Sequence, residues 1–128
     1  MPKPQARTPH TTILVCEDED SLRELVRITL GDSYQFVEAT DGAAALELVR
    51  SKHPDVVVLD VMLPGMSGLD VIRTVRGEPD VSATPVVAIS AWTHLEGEAL
   101  EAGADCFVGK PFEPDDLRAC VEKLLVRR

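Results

Sequence analysis

The sequence predicts a doubly wound α/β domain, a parallel sheet covered by helices on both faces. Three observations predict it. Short β-branched apolar runs alternate with stretches of helical period along almost the whole chain. Several runs are continuously apolar rather than alternating, which suits strands buried on both faces. The 128 residues, 45% apolar and 27% charged, match one ordinary folding domain and leave no room for two.

Residues 1–11 hold three prolines, Lys3 and Arg7 but no apolar stretch, and read as a disordered lead rather than a signal peptide. The folded domain is expected over 12–128, with no membrane span. Its strand-like runs are residues 13–16, 34–37, 56–59, 86–89 and 106–108. Between the first two, residues 20–30 place Leu22, Leu25, Val26 and Thr29 on one helical face, with Asp20 as N-cap or first-turn residue. Residues 42–52 do the same with Ala45, Leu48 and Val49, and residues 67–76 with Leu69, Ile72 and Val75. Residues 93–102 form a shorter, weaker pattern through Leu95, Ala99 and Leu100, which Gly103 ends. The last helix is the clearest. Pro114 suits its first position, and Asp115 and Asp116 oppose the helix dipole. Leu117, Cys120, Val121, Leu124 and Leu125 then follow an i, i+3, i+4, i+7, i+8 pattern.

Acids outnumber bases 22 to 13, a net charge of −9, which argues against phosphate backbones and anionic lipid surfaces as partners. No direct nucleic-acid binding and no membrane association are therefore expected. Cys16, Cys106 and Cys120 match no metal or redox spacing and lie in apolar runs. They read as packed, reduced thiols in a cytoplasmic protein.

Ligands of an open parallel sheet bind beyond the carboxyl ends of its strands. Here the first run is followed by Glu17-Asp18-Glu19-Asp20, the third by Asp60, the fourth by Ser90 and the fifth, after Gly109, by Lys110. Any one of these could simply mark a strand leaving the core. Together they place carboxylates in one crevice, where each pair roughly 5 Å apart costs about 3 kcal/mol at an effective dielectric near 20. Such a cluster needs protons or a cation. Oxygen-only ligands favour a hard divalent ion such as Mg²⁺. Lys110 and Ser90 add a point positive charge and a hydroxyl, the groups a transferring phosphoryl needs beside a carboxylate acceptor.

These residues sit in motifs that resemble the receiver domain of two-component response regulators, in the manner of a single-domain chemotaxis regulator. The pieces are Cys16-Glu17-Asp18-Glu19, Leu59-Asp60-Val61-Met62-Leu63-Pro64-Gly65, Ile89-Ser90-Ala91 and Val108-Gly109-Lys110-Pro111-Phe112. The resemblance covers residues 12–127. It implies five strands in the flavodoxin-like order 2-1-3-4-5 with five helices. It implies Asp60 as phosphoacceptor, and Mg²⁺ held by Glu17, Asp18, Asp60 and the Met62 backbone carbonyl. Lys110 corresponds to the lysine that contacts acceptor and phosphate, and Ser90 and Phe107 to the switch pair. A cis bond between Lys110 and Pro111 is also implied. The implied donor is a histidine kinase or phosphotransfer protein. The implied reader of the switched surface, helix four, strand five and helix five, is a downstream protein or a missing output domain. On this reading the chain is no enzyme beyond its own phosphorylation and dephosphorylation.

Two features depart from the family pattern. The interval from Ser90 to Lys110 looks about two residues short, so the fourth helix should be short, and Cys106 replaces the usual acid before the switch aromatic. Trp92 and Met62 border the acceptor and are expected to shield its phosphate from water. His10, His53 and His94 lack partners at catalytic spacing. An unphosphorylated binding scaffold is the alternative, against which the complete residue set argues. An aspartate-nucleophile phosphatase would have its acceptor at the end of strand one and a second acid two residues on, whereas Asp60 follows the third run and position 62 is methionine. A flavin module would need a Ser/Thr/Gly-rich loop where Glu17-Asp18-Glu19-Asp20 stands.

Overall fold

A computed structural model describes residues 11–126. The expected lead up to His10 and residues 127–128 lie outside the described residues. Thr11, assigned to that lead, is buried, and its carbonyl accepts from Gln35 N at 2.8 Å.

The elements run β1 (Thr12–Cys16), α1 (Asp20–Leu30), β2 (Gln35–Ala39), α2 (Gly42–Lys52), β3 (Val56–Asp60) and α3 (Gly68–Gly77). There follow β4 (Val86–Ser90), a 3₁₀ turn (Thr93–Leu95), α4 (Glu96–Ala102), β5 (Cys106–Gly109) and α5 (Pro114–Val126). All strand pairs are parallel, in the order β2-β1-β3-β4-β5. This is the predicted architecture. Because successive strand residues face opposite ways, the continuous apolar runs feed two cores. Leu14, Cys16, Val57, Leu59 and Ala88 pack with α2, α3 and α4 residues such as Val49, Ile72 and Ala99. Ile13, Val15, Val56, Val58, Val87 and Ile89 pack with Val26 of α1 and Leu117, Val121 and Leu124 of α5.

Some boundaries and faces differ from expectation. Tyr34 precedes its strand, because β2 pairs only with β1 and its register, Thr12 with Gln35 through Cys16 with Ala39, sets its limits. Leu25, expected on the buried face of α1, is 45% exposed; the buried stripe is Val26, Thr29 and Leu30. Leu100 of α4 is likewise exposed, and Ala99 alone of that helix is buried. Both helices contact the sheet along a narrow stripe, so one predicted position in each turns outward. The fourth helix is short, as the interval after Ser90 predicts.

At the opposite end of the sheet from the polar strand ends, Arg76 of α3 ties three segments together. Its guanidinium donates to Gly103 O at 3.0 and 2.8 Å, Ser82 O at 2.8 Å, Thr84 O at 2.6 Å and Asp105 Oδ2 at 3.0 Å. Gly103 adopts φ +122°, and a Cβ there would lie 2.8 Å from Arg76 Cγ. That glycine is needed both for its backbone conformation and for the close approach.

Cys16 and Cys106 are buried, Cys120 is half-buried, and all three are free thiols. Burial pushes the Cys120 thiol up to about 12 and raises Cys16 as well, which fits packed, unreactive thiols. No helix among the described residues is long and apolar enough to cross a membrane.

Candidate functional site

The ladder carries the strand-end residues into the sheet itself. Asp60 and Ser90 are the last residues of β3 and β4, Asp60 lies in register with Ile89, and Ser90 with Gly109. Backbone bonds continue past them: Val61 N donates to Ile89 O at 2.9 Å and Lys110 N to Ser90 O at 2.9 Å. The polar groups are therefore held by rigid backbone rather than by mobile loops.

Asp60 is 4% exposed, Glu17 1% and Ser90 0%. Lys110 Nζ donates to Asp60 Oδ2 at 2.6 Å and to Glu17 Oε1 at 2.8 Å. The other oxygens are engaged as well. Met62 N donates to Asp60 Oδ1 at 2.8 Å and Glu19 N to Glu17 Oε2 at 3.1 Å. Burial lowers the pKa of the Lys110 ammonium, but its hydrogen bonds to Asp60 and Glu17 outweigh this and hold it above its ordinary value. Asp18 is exposed, yet one oxygen each of Glu17, Asp18 and Asp60 lie within 4.8 Å of one another. Three carboxylates and one ammonium leave two negative charges in the crevice. That excess and the all-oxygen donor set fit a hard divalent cation.

Local sequence explains the loops. After Asp60 the chain turns back so that Gly68 N donates to Val61 O at 2.8 Å. A Cβ on Gly68 would meet Asp60 O at 2.5 Å and Val61 Cα at 2.7 Å, both backbone atoms, so α3 can start here only from glycine. Ser67 caps that helix, its side chain accepting from Asp70 N. The Lys110–Pro111 bond is cis, as the resemblance implies. Against Gly109, the Thr93 methyl would lie 2.9 Å from a Cβ, so the 3₁₀ turn sits directly over the end of β5.

The structure brings Glu17, Asp18, Asp60 and Lys110 together, with Met62 joined through its backbone. Ser90 Oγ accepts from Trp92 N at 2.9 Å, which leaves the hydroxyl proton for another acceptor. The Met62 and Trp92 side chains are 53% and 55% exposed. The Trp92 ring meets His94 edge-on, at 5.7 Å between centroids, a pairing the sequence did not signal. Phe107 lies apart on β5, half-buried against the core on the α4 side. His53 caps α2 in a left-handed conformation, φ 47°, a backbone role. Arg23 was also missed: its side chain is 13% exposed, and it donates to the Glu17 carbonyl at 2.8 Å. A helical arginine after an acidic run carries no sequence signal of that contact.

A doubly wound domain with a buried acid bridged to a lysine at the carboxyl edge of its sheet has its candidate site where open parallel sheets bind their ligands. The chain belongs to the response regulator receiver domain family, which residues 13–122 match. It is 43% identical over 118 residues to the DNA-binding response regulator MtrA of Mycolicibacterium smegmatis, covering 90% of this chain and 50% of that protein. It is 39% identical to the probable transcriptional regulator ycf27 of Cyanophora paradoxa, covering 48% of that protein. The chain thus spans about half the length of the curated relatives it matches. Among solved structures, a putative response regulator from Chloroflexus aurantiacus superposes with a TM-score of 0.86 at 31% identity, covering 91% of this chain and 98% of that one. The chemotaxis response regulator CheY4 of Vibrio cholerae superposes with a TM-score of 0.81 at 29% identity, covering 89% and 98%. The relatives' DNA-binding name does not fit the expectation of no nucleic-acid contact.

Proposed function

We propose that the chain accepts a phosphoryl group on Asp60 from a phosphohistidine of a histidine kinase or phosphotransfer protein. The observation that carries this reading is Asp60 itself: a nearly buried carboxylate at a strand end, with one oxygen on Lys110 Nζ and the other on Met62 N. An Asp60 oxygen attacks phosphorus, the P–N bond breaks, and the electron pair leaves with the imidazole, which takes up a proton. Lys110 then stays with the new acyl phosphate and balances a phosphoryl oxygen. Bound Mg²⁺, held by Glu17, Asp18, Asp60 and the Met62 carbonyl, would supply the remaining countercharge.

Ser90 donates its free proton to the phosphoryl group. The Trp92 loop moves with it, and Phe107 turns from its half-buried position into the core. The altered face of α4, β5 and α5 is what a downstream protein or output domain reads, as a shift between two packings. The relatives' name extends this reading. In a protein of their length, DNA contact falls to the half this chain does not align with, since the chain's net charge of −9 disfavours it here. Three free thiols, two of them buried, support a cytoplasmic setting.

The test is intact-mass measurement after incubation with Mg²⁺ and a small phosphodonor. A single phosphoryl adduct, absent from Asp60→Asn, is expected. No adduct on the parent chain overturns the proposal in favour of an unphosphorylated scaffold, and turnover of external phosphoesters would indicate a phosphatase.

A further inference from the structure

The three carboxylates of the candidate cation site are not held equally. Glu17 and Asp60 are buried with both oxygens bonded, whereas Asp18 is exposed in the bend between β1 and α1. What orients Asp18 is the peptide group it shares with Glu17. On the near side of that peptide, Glu17 N donates to Ala39 O at 3.0 Å. On the peptide itself, Arg23 Nη1 donates to Glu17 O at 2.8 Å. Arg23 is in turn held by Glu38 of the edge strand β2, Nε to Oε1 at 2.8 Å, and by Asp20 in its own helix. One guanidinium therefore joins β2, the start of α1 and the loop that carries two of the three carboxylates.

We propose that Arg23 is a positioning residue for the divalent-cation site. Its grip on the Glu17–Asp18 peptide, anchored by Glu38, holds the Asp18 carboxylate within reach of Glu17 and Asp60. This rests on the reading of those three residues as the cation site. Partners that orient first ligands typically change metal affinity about tenfold to a hundredfold when removed. Arg suits the task because its planar fork bonds a carbonyl and a carboxylate at fixed angles, which a lysine ammonium cannot.

Charge and positioning predict opposite signs. If Arg23 acted only through its charge, its loss would remove a repulsion and tighten Mg²⁺ binding. If it positions the loop, its loss weakens binding. The double variant Arg23→Met/Glu38→Gln separates them, since it removes one charge of each sign and leaves the net charge of −9 unchanged.

Mg²⁺ alone is titrated into the full chain and its variants by calorimetry, with Trp92 emission as a second readout. The double variant and Arg23→Met are expected to bind roughly tenfold more weakly. Glu38→Gln alone, a partly exposed change that keeps the fold, should bind about threefold more weakly, and Arg23→Lys should not restore the parent affinity. Arg76→Ala, which loosens the fold at the far end of the sheet, should leave Mg²⁺ affinity unchanged and so controls for general destabilisation. Unchanged or tighter Mg²⁺ binding by Arg23→Met and the double variant, with a parent that binds, overturns the positioning role. A parent chain that binds no Mg²⁺ overturns the cation-site reading and this proposal with it.

Discussion

Replacing Lys110 with methionine tests the electrostatics of the crevice directly. The substitution keeps most of the apolar stem and removes the one ammonium that bridges Asp60 at 2.6 Å and Glu17 at 2.8 Å. The two carboxylates left behind are 5% and 2% exposed in their side chains. Breaking a buried ion pair from one side costs about 3–5 kcal/mol. Lys110 is itself 15% exposed, which favours the lower end of that range. Two unit charges within 4.8 Å of each other at an effective dielectric of 20 repel by about 3 kcal/mol or more, a repulsion that no cation offsets once Lys110 is gone and chelator is present. With a urea slope near 1.5 kcal/mol per molar, a loss of about 3 kcal/mol lowers the unfolding midpoint by about 2 M. The loss should be largest in chelator. Mg²⁺ should then stabilise Lys110→Met more than the parent, because the ion no longer shares the crevice with a positive side chain. Relief of only about 1.4 kcal/mol of repulsion raises its affinity tenfold. Urea melts in chelator and in Mg²⁺, for parent and variant, measure both effects. A loss under about 1 kcal/mol in chelator, or a Mg²⁺ response no larger than the parent's, refutes the reasoning.

Arg76→Ala should cost about 2–4 kcal/mol in urea melts, since it strips donors from the Gly103, Ser82 and Thr84 carbonyls together, and Arg76→Lys should recover only a fraction of it. If the exposed Met62 and Trp92 side chains shield the acceptor, as the sequence leads us to expect, the polar replacements Met62→Gln and Trp92→Gln should each shorten the half-life of the aspartyl phosphate several-fold. Unchanged half-lives in both would remove any shielding role. Trp92 emission should also change when Mg²⁺ or the phosphate mimic beryllofluoride is added. The thiols set an alkaline limit on stability. Cys120 rises from 9.0 to about 12 in the folded chain, so the unfolded chain loses that proton first. Stability from this group is full below pH 9 and is lost as pH rises from 9 toward 12. Urea midpoints across that window should fall less steeply in Cys120→Ala.

The fold was legible because its signal is redundant. Parallel strands buried on both faces must be apolar throughout, and residues 13–16, 56–59 and 86–89 could hardly be anything else. The site was legible for a related reason. Glu17, Asp60, Ser90 and Lys110 each stand where an apolar run ends, so finding the strands located the groups. What escaped was lateral. Nothing within one segment says that Arg23 reaches the Glu17 carbonyl, or that Arg76 reaches across 27 residues to Gly103. Both arginines sit on helices where an exposed cation is the ordinary expectation, and only packing turns them inward. Leu25 shows the same limit in reverse: the helical period puts it beside Val26, yet α1 meets the sheet along too narrow a stripe to cover both.

On the proposed phosphorylation of Asp60, the charge balance of the crevice also bears on where a signal would emerge. Three carboxylates against Lys110 leave two negative charges. Phosphorylation of Asp60 would replace one carboxylate charge with a group carrying about −1.5 to −2, raising the demand for donors. On the β1 side the available groups are Glu17 and Asp18, which can offer none while ionised. On the other side stand Lys110 and the Ser90 hydroxyl, at the ends of β5 and β4. Apart from Met62 N and a cation held by the acids, the donors a phosphoryl group on Asp60 would draw on thus lie at the β4–β5 edge. Ser90 Oγ is bonded to Trp92 N, and Thr93 rests on Gly109, so a movement of the hydroxyl would be passed to the 3₁₀ turn and to α4 behind it. α4 is the shortest α-helix among the described residues and buries only Ala99, so of the α-helices it is the one least held by packing and the one such a pull would displace first.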